Sequence, residues 1–450
     1  MDAFNENSNE QQAQQPMGCL HRFSKTIKVV IIGLLILLLM IPMFMIENLI
    51  SERGRTQEEA IDEVSEKWSL AQTITGPYLN LQYPVVTENN GEKKVSIKDL
   101  ILFPDELMVN GQLKTEILKR SIYEVNVYQS ELTLKGSFSS EELKKSRIDM
   151  DQLQFDRAAI CLNLTDMRGI SEQISITLGD SVYIFEPGMD NRGIANTGVH
   201  AIANLSELKQ NKKLPYEIKI KLKGSQSLNF IPLGKTTRVD LKANWNTPSF
   251  TGNYLPNNRN ITEKEFSAQW QVLNLNRNYS QVMVDFNTSN IKDIESSSFG
   301  VNFKIPVEQY QQSMRSAKYA ILIILLTFGV IFFTEIMNNT RIHALQYLLV
   351  GLALCLFYSL LLSFSEHIGF NPAYLLSSAL TIILVGGYMF GITKRKKPSL
   401  IMSGLLGVLY LYIFVLIQLE TFALLTGSLG LFIILAMVMY FSKKIDWFNE

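Results

Sequence analysis

The chain alternates between long apolar runs and one long polar stretch. Residues 29–46 form an apolar run interrupted only by Gly33 and Pro42, and residues 318–441 contain five further apolar segments with almost no charge inside them. Crossing about 30 Å of hydrocarbon takes about 20 residues at about 1.5 Å each, and these segments have that length. The pattern predicts a membrane bundle of six helical spans, at residues 28–47, 318–337, 344–363, 371–393, 399–419 and 421–441.

Short basic clusters predict the orientation of these spans. They lie at residues 21–28, 394–397 and 443–444, so alternation places all of them on one side of the membrane. By the positive-inside rule, both tails (1–27 and 442–450) are expected to be cytoplasmic and residues 48–317 to lie outside. Only a very short turn containing Glu420 joins the fifth and sixth spans, so a re-entrant pair is the alternative there.

The polar stretch, residues 48–317, reads as a large inserted domain made mainly of strands. Thr56 and Glu59 have capping-box spacing, which predicts a new helix there after the first span ends near Glu47. Apolar and polar residues then alternate, most clearly at 216–222, and also at 79–83, 123–127, 174–178, 239–245, 266–270 and 299–303. Because side chains of a strand alternate between faces, these runs predict a β-sandwich with one dry face per sheet.

A faint repeat suggests that this sandwich is duplicated. The tetrapeptide Leu-Lys-Gly-Ser occurs at 134–137 and again at 222–225, each time at the end of a predicted strand. A spacing of this size suits a repeated sandwich better than a short solenoid repeat. A single sandwich with a chance recurrence is the competing interpretation.

Charge and composition point away from several functional classes. The 42 basic and 42 acidic residues balance, which removes any global argument for nucleic-acid binding. The three cysteines, Cys19, Cys161 and Cys355, are too scattered for a disulfide framework or a cysteine metal site. Of the four histidines only His200 lies in the inserted domain, either as a satisfied side chain or as a lone acid–base group.

No familiar catalytic motif accompanies these residues. The sequence contains no G-x-S-x-G elbow, H-E-x-x-H helix or Walker loop, so we expect a non-enzymatic protein without catalytic, cofactor-binding or metal residues. The acids of the membrane part, Glu47, Glu335, Glu366 and Glu420, lie at predicted span ends and not in mid-membrane. This placement does not favour transport, so a six-span transporter or channel gated by the outer domain is the alternative hypothesis and not the first one. An envelope hydrolase or transferase ranks last.

Several motifs together resemble the CreD family of bacterial inner-membrane proteins. The resemblance covers residues 25–392, with Ala344 where the family would have proline. The motifs are, in chain order, W-x3-Q-x3-GP (68–77), YP (83–84), RSxY (120–123), DxRGI (166–170), WxxPSFxG (245–252), LP (255–256), FGV (299–301), RSxKYAIL (315–322), FxE (333–335), IHxLQYLLVGLA (342–353), FY (357–358) and SEH (365–367).

The resemblance implies an inner-membrane protein with a large periplasmic domain, linked to envelope integrity, stress tolerance and a two-component regulatory system. It implies no agreed catalytic residues. We expect the bilayer as one partner and an envelope glycan, lipid or other membrane protein as the ligand, but no nucleic acid. The motifs within the inserted domain supply the candidate recognition surface, which consists of Trp68, Gln72, Asp166, Arg168, Trp245 and Phe250.

The residue types leave two interpretations of that surface open. Asp166 and Arg168, two positions apart, could form a structural ion pair or bind a polar ligand. Trp245 and Phe250 could stack on sugars, although tryptophans of alternating strands commonly fill a core.

Overall fold

The computed structural model describes residues 24–443 apart from 90–91, 146–147, 190–193, 211, 285–287, 304–307, 339–341 and 420–422. The chain divides into two compact units, a helical one (Met1–Thr56 with Val307–Glu450) and a β unit (Gln57–Pro306). Most of the two predicted tails, together with Cys19 and Glu420, lies outside the described residues. The helices are α1 (Ser24–Trp68), α2 (Ser206–Lys209), α3 (Thr288–Ser296), α4 (Glu308–Lys318), α5 (Ala320–Asn338), α6 (Ala344–Ile368), α7 (Phe370–Thr393), α8 (Lys396–Gln418) and α9 (Ala423–Ser442).

Helix α1 is longer than the sequence predicts. It runs without a break from Ser24 to Trp68, and the Thr56 hydroxyl donates to the carbonyl of Glu52 within the helix instead of capping a new one. The prediction of two separate helices was therefore wrong. Its physical reason is that Glu47 marks the end of the apolar run, whereas a helix continues through polar residues as long as nothing breaks its backbone hydrogen bonds.

Among the described residues, five helices are long and apolar enough to cross a membrane, namely α1, α5, α6, α7 and α8. The sixth predicted span corresponds to α9, whose described apolar part, Leu425–Tyr440, is shorter than the other five. The count of six and the orientation therefore stay predictions. The amphipathic helix α4 belongs to the helical unit, so the β unit ends at Pro306 and not at residue 317.

The described residues of the β unit form two sheets of nine and eight strands. The strands are β1 (Gln72–Asn89), β2 (Glu92–Leu102), β3 (Glu106–Arg120), β4 (Tyr123–Phe138), β5 (Ala158–Leu164), β6 (Ser175–Leu178), β7 (Ser181–Ile184), β8 (Glu186–Pro187), β9 (Gly198–Ala203), β10 (Leu214–Ser225), β11 (Ser227–Phe230), β12 (Thr236–Ala243), β13 (Ser249–Gly252), β14 (Asn258–Ile261), β15 (Phe266–Leu273), β16 (Val282–Val284) and β17 (Phe299–Asn302).

Strand order in the two sheets follows from the pairing of these strands. The first sheet runs β13-β17-β11-β1-β5-β9-β8, with β2 on β1 and β16 on β2, and the second runs β14-β15-β12-β3-β4-β10-β6-β7. The apolar faces of both sheets contribute to one continuous core, in which Leu81, Leu134, Ile218 and Phe299 are fully buried. The predicted two-sheet, mainly β domain is confirmed, whereas its duplication stays a prediction.

The repeated tetrapeptide has a structural counterpart. Its two copies lie on the paired antiparallel strands β4 and β10, where Gly136 is opposite Tyr216 and Gly224 is opposite Tyr128. A Cβ atom on either glycine would come very close to the hydroxyl of the opposite tyrosine, at 2.6 Å for Gly136 and 2.3 Å for Gly224. The glycines therefore make room for aromatic rings that cross the neighbouring strand.

A buried carboxylate joins three parts of the helical unit. Glu335, near the end of α5, is only 6% exposed and forms an ion pair with Lys28 of α1. Its oxygens also accept hydrogen bonds from the Ile342 N–H (3.0 Å) and the Tyr347 hydroxyl (3.1 Å), which belong to the start of α6 and the residues before it. This one side chain therefore connects α1, α5 and α6 at one end of the bundle.

A second carboxylate connects helices at the other end of the α1 span. Glu366 of α6 lies 3.8 Å from the Arg53 guanidinium and accepts a 3.1 Å hydrogen bond from the Tyr310 hydroxyl of α4. Lys28 and Arg53 are 25 residues apart on one helix, which corresponds to about 37 Å at about 1.5 Å per residue. That distance exceeds the hydrocarbon thickness of about 30 Å, so each charge pair has access to a solvated interface.

We predict that Glu335→Ala destabilises the helical unit markedly. The substitution leaves a buried N–H, a buried hydroxyl and a partly buried ammonium group without their acceptor, and losses of this kind cost about 2–4 kcal/mol. Thermal unfolding of the purified full-length protein in detergent should show a clearly lower midpoint. Glu47→Ala on α1 is the matched control and should leave the midpoint almost unchanged; equal effects of the two substitutions would contradict the assignment.

Candidate functional site

Three of the six predicted surface residues, Gln72, Asp166 and Arg168, form one hydrogen-bonded cluster with Ser69. We call this cluster of four residues the junction. A fourth predicted surface residue, Trp68, lies beside it in the chain. The junction links the residues after α1 to the short 3₁₀ turn Met167–Gly169, which follows β5. The Asp166 carboxylate accepts from the N–H of Leu70 at 2.9 Å and from the N–H of Arg168 at 3.0 Å. The turn is therefore fixed to the chain that leaves α1.

Gln72 completes the junction from inside. Its side chain is fully buried and donates to the Asp166 carbonyl (2.8 Å) and to the Ser69 hydroxyl (2.9 Å). Gly169 leaves the space for this amide, since a Cβ atom there would lie 2.4 Å from the Lys223 carbonyl and 2.8 Å from the Gln72 nitrogen. Gln72 therefore cannot belong to an exposed surface, contrary to the sequence-based expectation, because the hydrogen-bonding needs of its amide are met in the interior.

The Arg168 guanidinium is largely occupied by its own neighbours. Nε lies 2.9 Å from Asp166 Oδ1, Nη2 lies 2.9 Å from Asp166 Oδ2, and Nη1 donates to the Glu66 carbonyl. Desolvation raises the pKa of the Asp166 carboxyl, but the hydrogen bonds from Arg168 and Leu70 and the arginine charge outweigh it, so the pKa is lowered. Asp166 is 7% exposed and Arg168 54%. This geometry favours the structural ion pair over a ligand site.

The aromatic candidates also make intramolecular contacts. Trp68 is half-buried, its ring centroid lies 4.8 Å from the Lys223 ammonium group, and its N–H is 3.5 Å from the Tyr128 carbonyl. Phe250 of β13 packs edge-on against Trp270, with ring centroids 5.7 Å apart, while Trp245 packs against the core. The sequence had predicted that the strand of residues 239–245 includes Trp245. In the structure β12 ends at Ala243, and Trp245 lies after it. These three rings therefore serve packing within the β unit and do not form a flat, open platform for a sugar.

Next to the junction, the β unit has a polar pocket of about 330 Å³ that the sequence did not indicate. We call it the hydroxyl-lined pocket, after Thr73, Thr75, Asn163, Thr165, Thr197 and Ser298 in its walls. Thr73 directly follows Gln72, Thr165 directly precedes Asp166, and the Thr73 N–H donates to the Thr165 hydroxyl at 3.0 Å. The junction therefore fixes one wall of the pocket.

A buried tyrosine and an amide hold another part of the pocket wall, the loop at residues 194–197. The Tyr78 hydroxyl donates to Asn163 Oδ1 at 2.6 Å and accepts the Ile194 N–H at 2.7 Å, while the Asn163 amide donates to the carbonyls of Ala195 and Thr197. Burial raises the pKa of Tyr78 well above its ordinary value, so its hydroxyl keeps its proton and donates. The loop at residues 194–197 is thereby fixed onto β5.

Three hydroxyls of this pocket are available to a ligand. Those of Thr75, Thr197 and Ser298 make no hydrogen bond within the described part of the chain. Each hydroxyl can donate one hydrogen bond and accept others. The exposed carboxylate of Glu295 adds an acceptor at the rim. The pocket can therefore recognise a neutral ligand that is rich in hydroxyl or amide groups.

His200 is buried, and its Nδ1 lies 2.6 Å from the Gly188 carbonyl, so it has a structural partner. No group of three or more His, Cys, Asp or Glu side chains among the described residues is arranged to hold a metal ion.

Comparison with known proteins identifies the family. The family described as "Inner membrane protein CreD" matches residues 24–448 of this chain. The "Inner membrane protein CreD" of Escherichia coli (strain K12) is 32% identical over 420 residues, which cover 92% of this chain and 91% of the relative. The chain belongs to the CreD family of multi-pass inner-membrane proteins, as its motifs predicted.

We predict that Asp166→Asn destabilises the β unit in a pH-dependent way. Loss of the charge weakens hydrogen bonds to a charged group, which are worth about 2 kcal/mol in total at neutral pH. Because the folded-state pKa is lowered, this stabilisation is complete above the unfolded-state pKa of about 3.9 and disappears as the pH falls through the folded-state value. Urea unfolding of the full-length protein, followed by tryptophan fluorescence, measures the difference at pH 7 and near pH 3.

The exposed Asp180→Asn is the control for this measurement and should change neither value. A difference between wild type and Asp166→Asn that is as large near pH 3 as at pH 7 would contradict the ion-pair assignment.

Proposed function

We propose that this CreD-family protein supports envelope integrity and stress tolerance by binding an envelope component in the hydroxyl-lined pocket of its β unit, without catalysing a reaction. The observation that carries this proposal is the set of three hydroxyls, of Thr75, Thr197 and Ser298, that line one pocket without a hydrogen-bond partner in the described chain. Thr75 is buried and Ser298 half-buried, and hydroxyls in such positions normally find partners, so a pocket that gathers these unpaired hydroxyls beside the exposed Thr197 favours a polar ligand.

The chemistry of the pocket favours a glycan over the other envelope components. Its walls present mainly neutral hydroxyl and amide groups, which can both donate and accept, and the carboxylate of Glu295 at the rim disfavours an anionic ligand. A volume of about 330 Å³ lies at the lower end of the range typical of small-molecule sites. One sugar ring with its hydroxyl or acetamido groups is the ligand we propose. Under the positive-inside expectation this unit is periplasmic, and the periplasm is where envelope glycans occur.

A six-span transporter or channel gated by the β unit is the second candidate. It draws on two buried hydroxyls of the helical unit, of Tyr358 in α6 and Ser377 in α7, which have no hydrogen-bond partner among the described residues. Unpaired polar groups inside a membrane bundle are a common feature of substrate paths. Solute flux into vesicles that contain the purified protein would support this candidate, and flux lost in Ser377→Ala would locate the path.

We predict that the full-length protein in nanodiscs binds soluble peptidoglycan fragments and that Thr197→Trp removes the binding. The exposed Thr197 side chain stands at the pocket rim, so an indole there would fill the space that a sugar ring needs. Calorimetric titration should show affinity reduced about tenfold or more, which corresponds to at least about 1.4 kcal/mol.

The control variant is Thr177→Trp, which changes an equally exposed threonine on β6 away from the pocket. It should bind the fragments as the wild type does. Equal binding by all three proteins would place the ligand elsewhere on the molecule, and the absence of binding by a folded wild type to peptidoglycan or lipopolysaccharide sugars would overturn the glycan proposal.

A further inference from the structure

Helices α7 and α8 form an apolar cleft of about 640 Å³ that is open along one side. Leu375 of α7 and Leu411 of α8 form its rims and are 73% and 64% exposed. Its back wall is rigid, because Tyr374 and Tyr410 are buried there and the Tyr374 hydroxyl donates to the Tyr410 carbonyl at 2.9 Å. The cleft is thus a preformed groove in the surface of two membrane-spanning helices.

The cleft ends where the two helices come into direct contact. A Cβ atom on Gly386 would lie 2.1 Å from the Ser403 hydroxyl, and the Ser399 hydroxyl donates to the Gly386 carbonyl at 2.7 Å. This contact lies about one helical turn beyond Ile382, the deepest cleft residue of α7. The close packing at Gly386 therefore closes the floor of the groove.

The length of the cleft matches one leaflet of a bilayer. From Asn371 to Ile382 the helix advances 11 residues, which is about 16 Å at about 1.5 Å per residue. This is about half of the hydrocarbon thickness of about 30 Å. A groove through the whole membrane would suit a helix of another chain, whereas a groove that stops at mid-depth suits an acyl chain.

The open end of the cleft is polar. Asn371, the second residue of α7, accepts a 2.7 Å hydrogen bond from the amide of Gln418, the last residue of α8. Both side chains are exposed, so their remaining amide hydrogens can donate outward. In a helix that spans the hydrocarbon, the residues at the helix end lie near the interface, where the acyl chains of a lipid join its ester groups.

We propose that this cleft binds one phospholipid, with an acyl chain between α7 and α8 and its ester carbonyl at the Asn371–Gln418 pair. The apolar walls bury the chain, and the amides at the open end can donate hydrogen bonds to an ester carbonyl. The floor at Gly386 and Ser403 limits the site to the leaflet on the side where α7 begins. The proposal is independent of the function proposed for the β unit.

Photo-crosslinking of the full-length protein in vesicles tests this site. Two phosphatidylethanolamine probes are used, one with a diazirine next to the ester and one with a diazirine at the end of the same acyl chain. Labelled peptides are then identified by mass spectrometry. We expect the first probe to label residues near Asn371 and Leu375, and the second to label residues near Ile382 and Gly407.

Two glycine variants of α8 make the test specific. Gly407 lines the cleft, and a Cβ atom there would have its nearest neighbour, Ile382 Cδ1, at 4.0 Å, so this position has room for a Cβ atom and Gly407→Leu places its side chain in the groove. Gly404 lies one turn away on the same helix, outside the cleft, and a Cβ atom there would have no neighbour within 4 Å. Gly407→Leu should reduce labelling of the cleft about tenfold, whereas Gly404→Leu should leave it unchanged.

Three outcomes would overturn the proposal. Uniform labelling of the cleft and of other exposed positions, such as Leu400 and Ile401, would mean ordinary lipid contact without a site. Labelling that does not depend on the position of the diazirine would contradict the orientation. Absence of labelling at Leu375, Leu411 and Ile382 by both probes would show that no acyl chain occupies the groove.

Discussion

A membrane interior cannot solvate charge, and the helical unit depends on where its few carboxylates are placed. Glu335 and Glu366 each accept hydrogen bonds from other segments and each face a cation of α1. These two cations, Lys28 and Arg53, lie far apart on that helix. Hydrocarbon separates the two sets of polar contacts, since the distance between them exceeds its thickness. The polar contacts therefore hold the helix ends together, and apolar packing determines the middle of the bundle.

In the β unit, buried polar side chains fix one wall of the hydroxyl-lined pocket without lining the pocket themselves. The side chains of Gln72 and Asp166 make their hydrogen bonds within the junction, and the residues next to them, Thr73 and Thr165, line the pocket. A change at the junction would therefore reach the pocket through the backbone. The motifs that stand out in the sequence mark residues that position the site, and the residues suited to contact a ligand are ordinary threonines and serines.

The sequence predicted the periodic features well. Alternation located the strands at 216–222 and 266–270, and apolar length located the spans of α5 to α8, because both patterns follow directly from which faces are buried. The prediction that the first helix ends near Glu47 was wrong, since the change to polar residues marks the end of the hydrocarbon-spanning part and not the end of the helix. The sequence could not predict the hydroxyl-lined pocket, because its lining residues come from distant parts of the chain and form no sequence pattern. They include Thr75, Asn163, Thr197 and Ser298.

The two glycines of the repeated tetrapeptide should follow different courses as the family diverges. At Gly224 the three atoms nearest to an added Cβ all belong to the Tyr128 side chain, so a larger residue could appear there if a smaller one replaced Tyr128 in the same lineage. At Gly136 the nearest atom is the Glu106 carbonyl oxygen, 1.8 Å away, which no side-chain substitution can move. Position 224 should therefore covary with position 128, while position 136 stays glycine.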